Sequence, residues 1–202
     1  MRDDERVTEP EPDWRQRKKA ETRDRIRGCA LRLFLEEGYD ATTVEQIAAA
    51  AGVSHMTFFR YFPAKEDVVL SDSYDPMIAR LLGQTPSDWP LLKRIRAALL
   101  EGLAQVYEAD RDTLLAQNKL IAATPALRDR LWADQIGTQQ LFLHALGDGG
   151  GEDHRPSLQA RVTVAACLAA ASTAILAWVE HDGTPELPDL LDAAFETLAH
   201  PA

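Results

Sequence analysis

Between Val53 and Lys65 the chain reads VSHMTFFRYFPAK, a short run rich in side chains suited to recognition chemistry. On a helix, Phe58 and Phe62 lie one turn apart and point into a small core with Val53. His55, Met56, Thr57, Phe59, Arg60 and Tyr61 then share the opposite, outward arc. So many exposed aromatic and basic groups are hard to explain unless something covers them. The major groove of duplex DNA would do so. Arg60 can make a bidentate contact with guanine, Thr57 can hydrogen-bond a base edge or a phosphate, and Met56 or Thr57 can pack on a thymine methyl. His55, at the helix start, can read a base edge. Ser54 at the head of the same helix, Thr43 near the start of the preceding one, and Lys65 beside the backbone N–H groups that open the next complete the DNA-binding set. The competing account makes Arg60 and Lys65 ordinary solvated charges and packs Phe59 and Tyr61 on a neighbouring domain. It explains any one residue better than it explains the set.

The helical period runs through the whole chain, and no alternating β-branched stretch of strand length interrupts it, so the fold class is all-α. A first helix is predicted over residues 15–37, with Ile26, Cys29, Ala30, Leu33 and Phe34 on one face and Gly38 as its stop. Its first turns carry Arg15, Arg17, Lys18, Lys19, Arg23, Arg25 and Arg27. A second, short helix opens at Thr42, which can form a capping box with Glu45, and buries Val44, Ile47, Ala48 and Ala51. Gly52 permits a steep turn, Ser54 caps a third helix, and Pro63 forces that helix to finish at Phe62. Helix, glycine turn, helix is the helix-turn-helix pattern. Further helices are predicted at 64–82, 91–108, 111–123, 125–146, 157–181 and 188–199, with the acidic, glycine-rich stretch 147–156 as a loop. The chain thus divides into a disordered N-terminal arm (1–13), a helix-turn-helix DNA-binding domain (14–63) and a larger helical ligand-binding and dimerisation domain (64–202).

Charge agrees with that division. The chain of 202 residues carries net charge −10, which at first sight argues against a polyanionic partner. The segments 1–13, 14–65 and 66–202 hold 2, 10 and 10 basic against 6, 6 and 20 acidic residues, hence −4, +4 and −10. A locally basic head on an acidic body suits phosphate contact through one face. Other function classes find little support. The five histidines at 55, 144, 154, 181 and 200 form no paired-His motif, and no nucleophile signature appears. Gly149, Gly150 and Gly151 are followed by no Lys-Ser/Thr pair, so they form no phosphate cradle. Cys29 and Cys167 read as reduced core thiols. The expectation is therefore a protein that is not an enzyme, with no catalytic residue, cofactor or metal. No apolar run is expected to reach the roughly 20 residues of a membrane span, which reads as a cytoplasmic protein without a membrane partner. A ligand-binding or scaffold protein that never touches DNA remains the other class to separate.

Residues 38–70, GYDATTVEQIAAAAGVSHMTFFRYFPAKEDVVL, resemble the TetR-family signature, in which a Gly-Val-Ser turn leads into a recognition helix ending in aromatic-x-x-Phe-x-x-Lys-Glu. The resemblance implies a homodimer with recognition helices in successive major grooves of a palindromic operator. It also implies a ligand-controlled helical bundle and, usually, a repressor. Phe59 stands where the family commonly has a phosphate-binding Tyr, and Tyr61 where it often has His, so Tyr61 is expected to take over that contact. Met56 replaces a common small residue. More loosely, YFPAKEDVVL, SYDPM and LIAATPALRDRL resemble the branch with an acyl-CoA-like ligand domain, which includes regulators of the mycofactocin type.

On its own residues, the larger domain offers candidates for a largely apolar effector. Asn118 shares a face with Leu114, Leu115, Ile121 and Ala122. Gln135 and Thr138 interrupt the Leu127, Leu131, Phe142 face, and Trp132 and Trp178 can serve as aromatic walls. The plainer reading of each is a satisfied core polar or a packing aromatic. The Ala-rich stretch 162–174, with Ser172 and Thr173, invites close helix approach, and Leu190, Leu191, Ala194, Phe195 and Leu198 line one side of the last helix. A four-helix interface with a symmetry mate is expected there, and an intramolecular hairpin burying the same face is the alternative.

Overall fold

The computed structural model describes residues 14–70, 74–147 and 156–200, which hold nine α-helices and no strand among them. The fold is all-α. Residues 1–13, expected to form a disordered arm, lie outside the described residues, as do 148–155 of the expected loop. The chain separates into two compact units between Val68 and Val69.

In the N-terminal unit, α1 (Trp14–Glu37) buries Ile26, Ala30, Leu33 and Phe34 at the three-and-four spacing of one helical face. Gly38, at φ +91°, ends it. Helix α2 (Val44–Ala50) is capped by Thr43, not by Thr42 as the sequence suggested, and the capping partner is Gln46, not Glu45. The one-residue slip has a physical cause. Thr42 is buried, and its hydroxyl donates to the Gly38 carbonyl at 2.8 Å, so it serves the end of α1. Gly52, at φ +63°, makes the turn into α3 (His55–Tyr61), and nothing lies within 4 Å of where a Cβ would sit. Strain at Gly52 is therefore purely a matter of backbone conformation. Gly52→Ala is expected to destabilise this unit by about 1 kcal/mol and Gly52→Asn by less, because Asn tolerates the left-handed region; a urea melt reads the difference.

Of the stretch predicted as one helix over 64–82, residues 64–66 are bend and turn, and the helical residues described are α4 (Asp67–Leu70) and α5 (Tyr74–Gln84), with 71–73 between them not described. Conversely, the two helices predicted at 91–108 and 111–123 are one, α6 (Leu91–Ala123). Neither Gly nor Pro stands at Ala109 or Asp110, and the buried face runs through them from Gly102 and Tyr107 to Leu114. Helices α7 (Pro125–Ala145), α8 (Leu158–Glu180) and α9 (Leu187–Ala199) complete the second unit close to their expected bounds.

The core of this unit joins Leu82, Ile95, Phe142, Val164, Leu191 and Phe195, so every helix from α5 to α9 contributes. On α9, Leu191 and Phe195 are buried in this cluster, while Leu190, Ala194 and Leu198 pack against it and stay half-buried. Helix α8 differs, because it carries two apolar seams. Ala160, Val164, Cys167, Ala171, Ala174 and Trp178 alternate by four and three and are buried. Leu158, Val162, Ala165, Ala169, Ser172 and Leu176 follow the same alternation on another face and are exposed. A helix apolar on both sides mimics a membrane span. By length and composition α8 is apolar enough to cross one, with mean hydropathy 2.0 over an 18-residue window, which corrects the expectation that no run approaches that length. Burial pushes the Cys167 thiol up to about 12, so it stays protonated at neutral pH and acts as a small apolar residue.

Candidate nucleic-acid interface

Local hydrogen bonds set the orientation of α3. The Ser54 hydroxyl accepts from the Thr57 backbone N–H at 3.1 Å and lies 2.9 Å from the Thr57 hydroxyl, so both side chains serve the helix start. Phe58 and Phe62 are fully buried with ring centroids 5.9 Å apart. They pin one side of α3 to the core of its unit and leave the other side outward. On that side Met56 is 78% exposed and Phe59 39%, and a shallow hollow of about 460 Å³ is lined by Met56, Thr57, Phe59 and Arg60. Tyr61 is half-buried, with the Arg60 guanidinium 5.4 Å from its ring centroid. The outward arc read from the sequence is brought together around one surface.

Three further members of the set also have partners within the unit. His55 stacks edge-on against Phe59 at 4.8 Å, and its Nε2 lies 3.3 Å from Glu45 Oε1. The Glu45 carboxyl is held below the usual carboxylate range by its own backbone N–H first, then by Thr43 and His55, so a carboxylate borders the arc at neutral pH. Thr43 accepts from the Gln46 N–H at 3.2 Å and stays exposed. Lys65 departs furthest from expectation. Its ammonium donates to the Tyr39 and Thr42 carbonyls at 2.8 and 3.1 Å and sits 4.1 Å from the Tyr39 ring centroid. It closes the loop after α1, where orphan carbonyls need donors.

Sequence reasoning did not place Trp14, Arg15, Lys18, Lys19 and Thr22 of α1 in the site. With Thr57, Arg60 and Tyr61 they line a second hollow, of about 380 Å³. Their signal in the sequence is the cluster of cations in the first turns of α1.

Among the effector candidates, Asn118 lies on α6, Trp132, Gln135 and Thr138 on α7, and Trp178 on α8. Asn118 Nδ2 donates to the Leu114 carbonyl of its own helix at 2.9 Å, and Thr138 donates to Asp75 at 2.7 Å, tying α7 to α5. Gln135 is half-buried, and the side chain of Trp132 lies outside the described residues. Trp178 is fully buried, and its indole N–H lacks a hydrogen-bond acceptor. Both hollows described above are lined by residues of the N-terminal unit, and none of these candidates borders either. Around Trp178 stands a polar cluster that sequence reasoning did not find. Tyr107 donates to Glu186, Arg111 donates to Glu186 at 2.8 Å and to the Gly183 carbonyl at 2.8 Å, and the Tyr107 and Trp178 rings lie 5.8 Å apart. Arg111, and after it Tyr107, hold the Glu186 carboxyl below its usual range. Such a cluster fastens α6 to the turn between α8 and α9.

Comparison with known proteins agrees with this geometry. Residues 26–71 match the model of bacterial regulatory proteins of the tetR family, and residues 89–202, more than half the chain, match the MftR C-terminal domain. The chain is 36% identical over 129 residues to the HTH-type transcriptional regulator TcmR of Streptomyces glaucescens, a match that covers 60% of this chain and 57%, little more than half, of that protein. It is 27% identical over 187 residues to a protein of Mycobacterium tuberculosis named as the mycofactocin biosynthesis transcriptional regulator MftR, covering 90% of this chain and 91% of that one. Among solved structures, FadR of Bacillus subtilis in complex with stearoyl-CoA aligns at TM-score 0.59 and 20% identity, covering 88% of this chain and 98% of that one. FadR of Thermus thermophilus, a TetR-family repressor in complex with lauroyl-CoA, aligns at TM-score 0.52 and 25% identity, covering 89% and 98%. With a helix-turn-helix whose outer face is open and a C-terminal region matched over residues 89–202, the chain belongs to the tetR family of bacterial transcriptional regulators and carries an MftR-type C-terminal domain.

Proposed function

We propose that this regulator binds a palindromic operator as a homodimer, acts as a repressor, and is released by a small, largely apolar effector of acyl-CoA-like chemistry. The observation that carries the DNA half of the reading is the outward arc of α3, where Met56, Phe59 and Arg60 stay exposed beside Thr57 while Phe58 and Phe62 hold the helix from behind. In the major groove, Arg60 pairs with guanine, Met56 and Thr57 meet a thymine methyl, and Tyr61, next to Arg60, supplies the hydroxyl that Phe59 lacks for a phosphate. Ser54, Thr43 and His55 border the groove, and their bonds within the unit make them supports of α3 as much as contacts. Lys65 stays a phosphate candidate, since the Tyr39 and Thr42 carbonyls take two of the three donors of its half-buried ammonium.

Arg60→Ala is expected to weaken operator binding by about 1–3 kcal/mol, roughly five- to 150-fold, while binding to random DNA of equal length falls far less. Competition gel shifts measure both. Equal loss on the two duplexes would leave Arg60 a phosphate contact only and remove the base-reading role.

The homodimer rests on the exposed seam of α8, which has the four-and-three alternation of a coiled-coil face and small residues at its centre. The effector reading rests on the MftR-type domain and on the lauroyl-CoA held by the Thermus thermophilus FadR. An effector can release the operator only if it binds better to a conformer whose recognition helices are wrongly spaced. Saturating lauroyl-CoA is therefore expected to lower operator affinity. Unchanged or higher affinity would contradict the acyl-CoA assignment.

A further inference from the structure

We infer that the first turns of α1 form a second DNA contact, a phosphate-binding ridge that carries the surface of α3 onto the backbone beside each half-site. The inference rests on the DNA-binding reading above and extends it to residues outside the helix-turn-helix. Arg15, Lys18 and Lys19 share the second hollow with Thr57, Arg60 and Tyr61. Thr57 and Arg60 line the base-reading hollow as well, so the two hollows adjoin and one duplex can lie along both.

Charge points the same way. Residues 14–27 hold seven basic and two acidic side chains, whereas residues 66–202 hold 10 basic and 20 acidic ones. Lys18 and Lys19 are exposed, and no carboxylate among the described residues lies within ion-pair distance of either. Nor does helix stability account for them. The first turn of α1 holds no acidic residue, and cations near a helix N-terminus oppose the positive end of its dipole. An anionic partner at that end relieves the repulsion. The hollow is open and its donors are flexible lysine ammoniums, which suit phosphates as point charges and carry no base information. The ridge therefore adds affinity to operator and random DNA alike.

The test uses the full chain, a duplex recovered by selection and a random duplex of equal length, each titrated with NaCl. Lys18→Ala/Lys19→Ala is expected to bind both duplexes roughly tenfold or more weaker near physiological salt. The slope of log affinity against log salt becomes shallower by about 3–4 per dimer, at about 0.9 for each phosphate no longer neutralised. The ratio of operator to random affinity stays unchanged, and Lys18→Arg/Lys19→Arg keeps the wild-type slope. Circular dichroism checks folding. Should the double variant fail to fold, Lys18→Ala and Lys19→Ala singly carry the test, each with about half the change in slope. A wild-type slope in the alanine variants, with wild-type discrimination intact, overturns the ridge alone. A wild-type protein that does not discriminate the two duplexes overturns the helix-turn-helix reading, and the ridge with it.

Discussion

Phe58→Ala is expected to destabilise the N-terminal unit by about 3–5 kcal/mol and to abolish selective DNA binding while the C-terminal unit stays folded. Phe58 is fully buried and packs against Phe62 and Phe59, with ring centroids 5.9 and 5.3 Å away. The unit is small, its core rests on a few large side chains such as Phe34, Ile47 and Phe62, and truncating one leaves a cavity that two short helices cannot close. Removing the ring also frees α3 to rotate, so the outward arc loses its fixed aim. Urea unfolding followed by near-UV circular dichroism should split into two transitions, the N-terminal one moved to low denaturant. One unchanged transition, or selective binding at wild-type strength, would mean that Phe58 does not anchor the helix. Phe58→Leu, which refills most of the volume, should recover much of both.

The second large effect is expected from Ala169→Glu. Ala169 lies at the middle of the exposed α8 seam, between Ala165 and Ser172, where close approach of a second helix needs small side chains. A carboxylate there must be desolvated with no partner on either chain, a cost of several kcal/mol on each side of a two-fold axis. The variant should sediment as a monomer and lose operator affinity by about a hundredfold or more, because two linked half-site contacts become independent ones. Its melting temperature should change little at a concentration where the wild type is also monomeric, since Ala169 is exposed within the protomer. A variant that remains dimeric would exclude this seam as the dimer surface.

How much of this was legible in the sequence follows from how local the determining interactions are. The elements around α3 could be read because Gly52, Ser54 and Pro63 act on their own backbone neighbours. The slip at Thr42 and Thr43 arises where two adjacent residues cap equally well and only burial against α1 chooses between them. The break predicted in α6 falls in a charged stretch, Glu108 to Asp112, while the buried face continues across it from Tyr107 to Leu114. The inward turn of Lys65 depends on carbonyls 26 and 23 residues earlier. The Tyr107–Glu186 bond spans 79 residues, which no periodicity reveals. On α9 the apolar stripe is plain in the sequence, but a stripe does not name its partner: Leu191 and Phe195 are taken up by the cluster within the unit, and Leu190, Ala194 and Leu198 only in part. The partners of the effector candidates were hidden for the same reason. Asn118 and Thr138 look like polar groups waiting in an apolar wall, and each is satisfied by a neighbour.

The measurement that tests the central claim most directly is selection of high-affinity sites from a library of random duplexes by the purified full chain. Successive rounds are expected to enrich an inverted repeat whose half-sites lie about one helical turn, or a multiple of it, apart, with guanine recurring at a position that Arg60→Ala selections no longer specify. A pool that stays random after repeated rounds, in protein that is folded and binds DNA only through charge, would contradict sequence reading by α3 and with it the account of this chain as an operator-binding regulator.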